Sequence, residues 1–411
     1  MKTIAIIARI VVGLVFIFSG FVKGVDPWGS TYKIIDYFTA FGLSFLNPTA
    51  FILGVLRDAA EFIIGVALLL GLRMKVTSWA VLAFMSFFTI LTFILALTNP
   101  VSDCGCFGDA IVLTNWQTFY KNVALLFLTL IVFFYRKKYV PAYSPAVEWG
   151  WVVGMTVVIV GLSVYCYRHL PILDFRPYYI GADIPHGMTV PDGKPSDKFK
   201  TLLYYEKDGV VKEFDDTNYP WDDTTWIWKD SKTILVEKGY QPPIHDFGIM
   251  TRDGIDITDE VLADEGYTFL FIAYRLEKSN KDALASANDI AEFCEEKGYR
   301  FYCLTASPDD DIEQLTSELG LKYDFCFTDE ITLKTIIRAN PGLVLLKEGV
   351  ILNKWHYNDV PQTTEFSPNL MSYSIKSQLS KSDNRLMNEW LLVLIVVSLI
   401  FYQFRQNRSE S

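Results

Sequence analysis

The sequence predicts a membrane-embedded helical bundle and an extramembrane α/β domain, with a β-rich segment between them. Three observations support this fold class. Of the 411 residues, 51% are hydrophobic, which is high for a soluble protein. A further 20% are charged, and the charged residues are concentrated in a different part of the chain from the long apolar runs. Strands and helices alternate in the charged part, which is typical of an α/β domain.

Six apolar runs approach the ~20 residues that a helix needs to cross a bilayer. The first four predict an all-α four-helix membrane bundle over residues 1–140, and the fifth predicts another transmembrane helix over 148–168. The sixth predicts a C-terminal transmembrane helix over 387–405, with Trp390 and Tyr402 as interfacial anchors. The runs are residues 4–22, 51–71, 77–98, 119–135, 151–167 and 390–404.

The basic residues predict how these spans are oriented. With simple alternation, all the clusters of Lys and Arg at the ends of spans fall on one side, which is the cytoplasmic side of a bacterial-type membrane. Both termini are therefore predicted to be cytoplasmic, and loop 99–118 and residues 168–389 extracytoplasmic, in a multi-pass protein of the inner membrane. The clusters are at Lys2, 73–75, 136–138 and 404–408.

The exterior stretch is acidic. Residues 169–385 contain 38 acidic and 23 basic residues, a net charge of −15. Nucleic-acid-binding proteins carry stripes of Lys and Arg instead, so the sequence argues against nucleic acid as a partner. The expected partners are the lipid bilayer and extracytoplasmic protein clients.

Two folded parts are predicted in this exterior stretch. Residues 169–240 are β-rich, with a hairpin that turns at Asp208-Gly209 and three tryptophans that are expected to pack within the sheet. Residues 241–362 alternate strands with helices and end in a hairpin around 347–349. A linker is expected over 363–386. The three tryptophans are Trp221, Trp226 and Trp228.

The stretch "SDCGCFGDA" places Cys104 and Cys106 in the predicted outer loop, separated only by Gly105. Disulfides persist in an oxidising compartment, and a glycine lets the backbone bend enough for the two sulfurs to meet. A bridge closed over so small a ring departs from preferred geometry and is easily reduced. Redox exchange, a static disulfide, a thiophilic metal site and a turn without chemistry all remain open, although two cysteines are too few for a usual zinc site.

Two further features surround this pair. Cys166 lies at the outer end of the fifth run, where it serves either as a relay thiol or as a small apolar filler. An intramembrane polar cluster of Arg57, Asp58, Glu61 and Lys23 lies toward the outer side, and the i,i+4 spacing allows Arg57 to pair with Glu61. This cluster is either a structural set of ion pairs or a group that tunes the cysteines.

The aspartates flanking the pair have an expected effect on the thiols. Like-charge repulsion from Asp103 and Asp109 is expected to raise the thiol pKa values and so to disfavour a standing thiolate.

The N-terminal third resembles the DoxX/MauE-like four-helix membrane family. The segments that carry the resemblance are "FSGFVKGVDP", "AEFIIGVALLLGL" and "DCGCFGD" followed by "NWQTFYKNVALLFL". MauE-type members imply a link to methylamine metabolism and disulfide formation in a partner protein, and DoxX-type members imply thiosulfate oxidation with a membrane quinone. On this resemblance Cys104 and Cys106 are the candidate redox pair.

Residues 240–362 resemble the thioredoxin-like fold in its AhpC/TlpA-like form. The matching segments are "PPIHDF" and "NPGLVLL", with Pro341 in the place of the family's cis-proline. Where that family has its paired cysteines, this chain reads "YRLEKSNKDAL" and has none. The resemblance therefore implies a partner-binding groove beside Pro341 without its own sulfur chemistry.

Three functions fit these observations. The first is a membrane thiol–disulfide oxidoreductase acting on extracytoplasmic clients through Cys104 and Cys106. The second is a non-enzymatic assembly or scaffold protein, and the third is a subunit for oxidation of sulfur compounds.

Overall fold

The structure is a computed structural model that describes residues 2–101, 103–141, 143–191, 193–195, 198–215, 217–237, 239–366 and 370–375. The C-terminal span predicted at 387–405 lies outside the described residues. Within them, the fold class is as predicted: an N-terminal helical bundle, a small antiparallel sheet, and a C-terminal α/β domain.

Six helices form the N-terminal part. Among the residues that the structure describes, four stretches are long and apolar enough to cross a membrane, namely those containing α1, α4, α5 and α6. The helix α3, which covers the second predicted span, is not one of these four, because its 21 residues include the charged residues Arg57, Asp58 and Glu61. The helices are α1 (Lys2–Val25), α2 (Pro27–Ala40), α3 (Ala50–Leu70), α4 (Met74–Thr98), α5 (Asn115–Tyr135) and α6 (Pro145–Arg168).

Small residues bring α1 and α3 into close contact. A Cβ atom on Gly20 would lie 2.6 Å from the backbone nitrogen of Phe62, and one on Gly65 would lie 2.6 Å from that of Ile17. Glycines at such crossings let helix backbones approach in the membrane, where packing and not water exclusion drives association. This contact places Lys23 of α1 beside Glu61 of α3.

The β-rich segment follows α6 and a short helix, α7 (Ile184–Met188). Its strands β1 (Lys198–Lys207), β2 (Val210–Asp215) and β3 (Ile227–Glu237) form an antiparallel sheet in the order β2-β1-β3. The predicted hairpin is present, and both Asp208 and Gly209 have positive φ, as a type I′ turn requires.

The tryptophans of this segment behave differently from the prediction. Trp226 packs edge-on against Phe214, with 5.1 Å between ring centroids. Trp221, between β2 and β3, and Trp228, in β3, are 78% and 56% exposed, because no second layer of the described residues covers their side chains.

The α/β domain contains a six-stranded mixed sheet in the order β4-β7-β6-β5-β8-β9. The strand β5 is parallel to β6 and antiparallel to β8, and the final two strands form the predicted hairpin. The helix α11 was not predicted. The elements are β4 (Met250–Thr251), α8 (Thr258–Leu262), β5 (Thr268–Ile272), α9 (Lys281–Lys297), β6 (Arg300–Thr305), α10 (Asp309–Leu319), β7 (Phe325–Phe327), α11 (Glu330–Ile336), β8 (Gly342–Lys347) and β9 (Val350–His356).

The core of this domain lies on both faces of β5. Phe269 and Phe271 point to one face and Leu270 and Ile272 to the other, and all four are at most 2% exposed. Side chains alternate across a strand, so a strand buried on both faces reads as a continuous apolar run, as β5 does. Phe366, within the predicted linker, is also buried in this core, so the domain extends at least that far.

Candidate functional site

The loop between α4 and α5 is closed at its base by side-chain hydrogen bonds. Asn115 Nδ2, at the start of α5, donates to Asn99 Oδ1 and to the carbonyl oxygen of Val101, each at 2.8 Å. Thr114 caps the N-terminus of α5 in a capping box with Gln117. The loop that carries both cysteines is therefore anchored at both ends.

The two sulfurs of the loop lie together. Cys104 Sγ is 3.1 Å from Cys106 Sγ, and both are free thiols. Gly105 between them has a φ of +64°, a left-handed conformation that only glycine adopts without strain. Cys104 is buried, whereas Cys106 is partly exposed. Cys106 is therefore the more accessible residue of the two.

Side chains from α1 and α2 hold the backbone of this turn. Ser19 donates to the Cys106 carbonyl oxygen and Tyr37 donates to the Cys104 carbonyl oxygen, each at 2.6 Å. Asp103 accepts from Lys33 Nζ at 2.7 Å and from the Gly105 N–H at 2.8 Å. The position of both sulfurs is therefore set by hydrogen bonds from outside the loop as well as within it.

The polar cluster in α1 and α3 lies beneath the turn, but its pairing differs from the prediction. Arg57 pairs with its neighbour Asp58, with 2.8 Å between Nη2 and Oδ1, and not with Glu61. Glu61 pairs with Lys23 because the α1–α3 crossing brings these two buried side chains together. The i,i+4 spacing within α3 allows Arg57 to pair with Glu61. The contact between α1 and α3 places Lys23 beside Glu61 instead.

Of the two thiol pKa values, that of Cys104 is raised as predicted, whereas that of Cys106 is lowered. The hydrogen bond from Cys104 lowers the pKa of Cys106 to about 6, helped by the charges of Lys121 and Lys23, although burial opposes this shift. The same pairing and burial raise the pKa of Cys104. The expected repulsion by Asp103 and Asp109 does not dominate, because Lys33 and Arg338 pair with those carboxylates.

The α/β domain docks beside this loop through Arg338. Its guanidinium is 2.9 Å from Asp26 of the bundle and 2.9 Å from Asp109 of the loop. The Tyr274 hydroxyl, just after β5, lies 3.4 Å from the Tyr32 hydroxyl of α2. Arg338 is only 6% exposed, so these two carboxylates compensate a buried charge.

A narrow cleft lies between the loop and the segment that follows α6. It contains about 20 Å³ of free space and is lined by Lys23, Lys33, Gly105, Asp109 and Arg176. This is room for about one water molecule. A quinone ring does not fit in this cleft, so no step of the dithiol chemistry is assigned to the quinone that the family resemblance implies.

The remaining predicted site residues lie apart from the dithiol. Cys166 is fully buried near the C-terminal end of α6 and, within the described residues, forms no hydrogen bond with either loop sulfur. The Asn340–Pro341 bond is cis, and Pro341 is buried, so a partner-binding groove beside it stays a prediction. No group of three or more metal-binding side chains is found in the described part of the chain.

Comparison with known proteins agrees with this division. The family model described as methylamine utilisation protein MauE matches residues 1–135. The membrane region of this chain is MauE-like. A domain of unknown function matches residues 199–238, which cover the three-stranded sheet. A comparison with curated protein sequences found no match.

Solved structures with some likeness belong to thiol–disulfide proteins. A protein described as a thioredoxin from Neisseria meningitidis is 13% identical with a TM-score of 0.26, covering 31% of this chain and 87% of its own. A secreted Mycobacterium tuberculosis disulfide oxidoreductase homologous to E. coli DsbE is 11% identical with a TM-score of 0.24, covering 32% and 96%. Likenesses this weak carry no argument about the function of the α/β domain, which is called the thioredoxin-like domain below after its strand order and the segments that carry the resemblance.

Several residues of the site were not predicted from the sequence. Tyr37 and Arg338 contact the loop only because of tertiary packing, and no local pattern indicates this. Lys121 could have been found from the sequence, because a lysine within an apolar membrane run is a candidate functional residue.

Proposed function

We propose that the MauE-like region carries a thiol–disulfide exchange centre, formed by Cys104 and Cys106, that acts on extracytoplasmic protein clients. The observation that supports this most directly is the pair itself: two free sulfurs 3.1 Å apart, one partly exposed with a pKa of about 6 and one buried. The thiolate is the attacking species in disulfide exchange, and a lowered pKa increases the thiolate fraction of Cys106 at neutral pH.

The proposed reaction has two steps. The Cys106 thiolate attacks one sulfur of a client disulfide, which forms a mixed disulfide and releases the other client sulfur as a thiolate. Cys104 then loses its proton and attacks the Cys106 sulfur, which closes the Cys104–Cys106 bond and releases the second client thiolate. The client is reduced by two electrons and the pair is oxidised by two. Run in reverse, the same steps form a disulfide in the client, and the relative reduction potentials set the direction.

The thioredoxin-like domain has a non-catalytic role in this proposal. Its cysteines are all buried, and it contacts the loop through Arg338, with Tyr274 beside α2. The contact supports placing the loop and the domain on the same side of the membrane, as the proposed topology requires. With the predicted cytoplasmic termini, that side is extracytoplasmic, where oxidised clients occur.

Trapping of the mixed disulfide tests this function. In membranes, Cys104→Ser removes the resolving thiol, so disulfide-linked adducts to Cys106 are expected to accumulate and to disappear on reduction. Cys106→Ser should form none, and Cys294→Ser, which changes a buried thiol of the α/β domain, should behave like the wild type. A wild-type pair that keeps one redox state through oxidant and reductant treatment, with no adduct in Cys104→Ser, would contradict the proposal and favour a scaffold role.

A further inference from the structure

Lys121 differs from the other cations around the dithiol because it has no carboxylate partner among the described residues. Lys23 pairs with Glu61 and Lys33 pairs with Asp103, so the charges within each pair largely cancel. Arg338 is likewise compensated by Asp26 and Asp109. Among these four cations, Lys121 therefore carries the uncompensated positive charge.

The ammonium group of Lys121 is directed at the cysteine loop. Its Nζ lies 4.2 Å from the centroid of the Phe107 ring, and Phe107 directly follows Cys106. The same ring packs against Phe18 of α1, with 5.6 Å between centroids. A cation over an aromatic face is electrostatically favoured, so Phe107 holds the charge beside the loop. Lys121 also lies in a span that is otherwise strongly apolar, where a charge is costly.

The groups that face Cys106 come from four helices and from the loop. They are Lys23 from α1, Tyr37 from α2, Glu61 from α3, Lys121 from α5, and Cys104 from the loop, whereas Lys33 of α2 pairs with Asp103. Glu61 opposes ionisation of Cys106, and its partner Lys23 favours it. Lys121 favours ionisation of both thiols, and its effect on Cys106 is larger than that of Lys23.

We propose that Lys121 is a positioning residue for thiol–disulfide exchange, whose ammonium group stabilises the Cys106 thiolate and the negative charge that moves between the two sulfurs. This inference rests on the proposed function. Before the first step the Cys106 proton leaves to solvent, and Lys121 compensates the thiolate that then attacks the client disulfide. In the second step the charge is on Cys104 before it passes to the departing client sulfur, and Lys121 remains charged throughout.

The pH dependence of Cys106 alkylation tests this inference without requiring any exchange activity. In the full chain in lipid nanodiscs, with Cys106 followed by peptide mass spectrometry, Lys121→Met is expected to move the midpoint of the rate profile up by about one pH unit. The rate at the acid end should fall about tenfold, and the rate above pH 9 should be unchanged, because a one-unit shift in pKa changes the thiolate fraction tenfold below both midpoints.

Two variants make the result specific. Lys121→Arg keeps the charge and should restore the wild-type midpoint. Lys138→Met removes a lysine that also lies over a ring, that of Tyr135, at the other end of the same span, and should leave the midpoint unchanged. If Lys121→Met does not fold, Phe107→Leu removes the ring that holds the ammonium group and should move the midpoint upward by a smaller amount.

The outcomes separate this inference from the proposed function. An unchanged midpoint in Lys121→Met, or in Phe107→Leu where that variant replaces it, would overturn the inference and leave Lys121 as an interfacial anchor that extends toward the lipid headgroups. A shifted midpoint together with no trapped adduct in Cys104→Ser would support the electrostatic role of Lys121 and overturn the exchange function.

Discussion

The MauE-like region and the thioredoxin-like domain both bury cysteines, but with opposite consequences. In the domain, burial among apolar side chains raises the pKa of Cys294 to about 12 and that of Cys326 to about 11. In the loop, Cys106 is also desolvated, yet its pKa falls to about 6 because a neighbouring thiol donates a hydrogen bond and two lysines lie nearby. Burial alone therefore does not make a thiol inert; the groups that face the sulfur decide its protonation state.

The buried lysines of the two regions also differ in the groups that surround them. The domain keeps its most buried lysine, Lys354, in a structural role, donating to Asp174 and to the carbonyl oxygen of Tyr178. The MauE-like region places its buried pair, Lys23 and Glu61, beneath the reactive loop. We therefore expect changes in the MauE-like region to alter both folding and thiol reactivity.

The largest effect is expected from breaking the buried pair beneath the loop. Lys23→Met leaves Glu61 buried without a counter-charge, which should lower the free energy of unfolding by about 3–5 kcal/mol. Thermal unfolding in detergent, followed by tryptophan fluorescence, measures this as a large drop in Tm. The double variant Lys23→Met/Glu61→Met removes both charges and should be more stable than the single variant. Equal loss in both would mean that the pair contributes packing and not charge compensation.

A smaller effect is expected from the contact between the two regions. Arg338→Met leaves Asp26 and Asp109 without their cation and should weaken docking by about 2–3 kcal/mol, less than for Lys23 because Asp109 is partly solvated. Cys104 is 6% exposed in the docked state, so its alkylation at fixed pH should become at least about tenfold faster.

The matched change is Arg252→Met, which removes an arginine that also contacts two carboxylates, but on the exposed surface of the domain. Exposed pairs contribute about 0–1 kcal/mol, so the reactivity of Cys104 should stay within about twofold of the wild type. Similar rates in the Arg338 and Arg252 variants would show that docking does not control access to the loop.

The pH dependence of thiol reactivity compares the two regions directly. Lowering the pH from 7 to 5 passes through the Cys106 pKa of about 6, converts thiolate to thiol, and should slow its alkylation about tenfold. Raising the pH from 7 to 8 should change the rate little, because Cys106 is already ionised. Alkylation of Cys294 should stay very slow throughout this range, since its pKa is about 12. A Cys106 profile centred above pH 8 would remove the distinction between the regions.

The sequence predicted the architecture and that the sulfurs of Cys104 and Cys106 could meet, but it did not predict the groups that surround them. Hydrophobic runs and strand–helix alternation predicted the bundle, the hairpin at Asp208-Gly209 and the main elements of the α/β domain, because these depend on local patterns. The partner of Glu61, the contact of Arg338 with Asp109 and the effect on the Cys106 pKa depend on helix crossings and domain docking. The negative charges of the aspartates that flank the cysteines in sequence did not predict the pKa of Cys106. These aspartates are paired with cations from distant segments.

The smallest expected effect concerns the residue between the two sulfurs. Gly105 has a φ of +64°, and a Cβ there would lie 2.9 Å from Lys33 Cγ, a flexible side chain that can move. Gly105→Ala should therefore cost about 1 kcal/mol, mostly from the left-handed backbone, and slow exchange about fivefold as the sulfurs lose their alignment. Gly42→Ala imposes the same strain at a φ of +70° with no atom within 4 Å, and should leave the exchange rate unchanged. An equal loss of rate in both variants would assign the effect to general destabilisation, whereas a loss confined to Gly105→Ala would show that the turn aligns the two sulfurs.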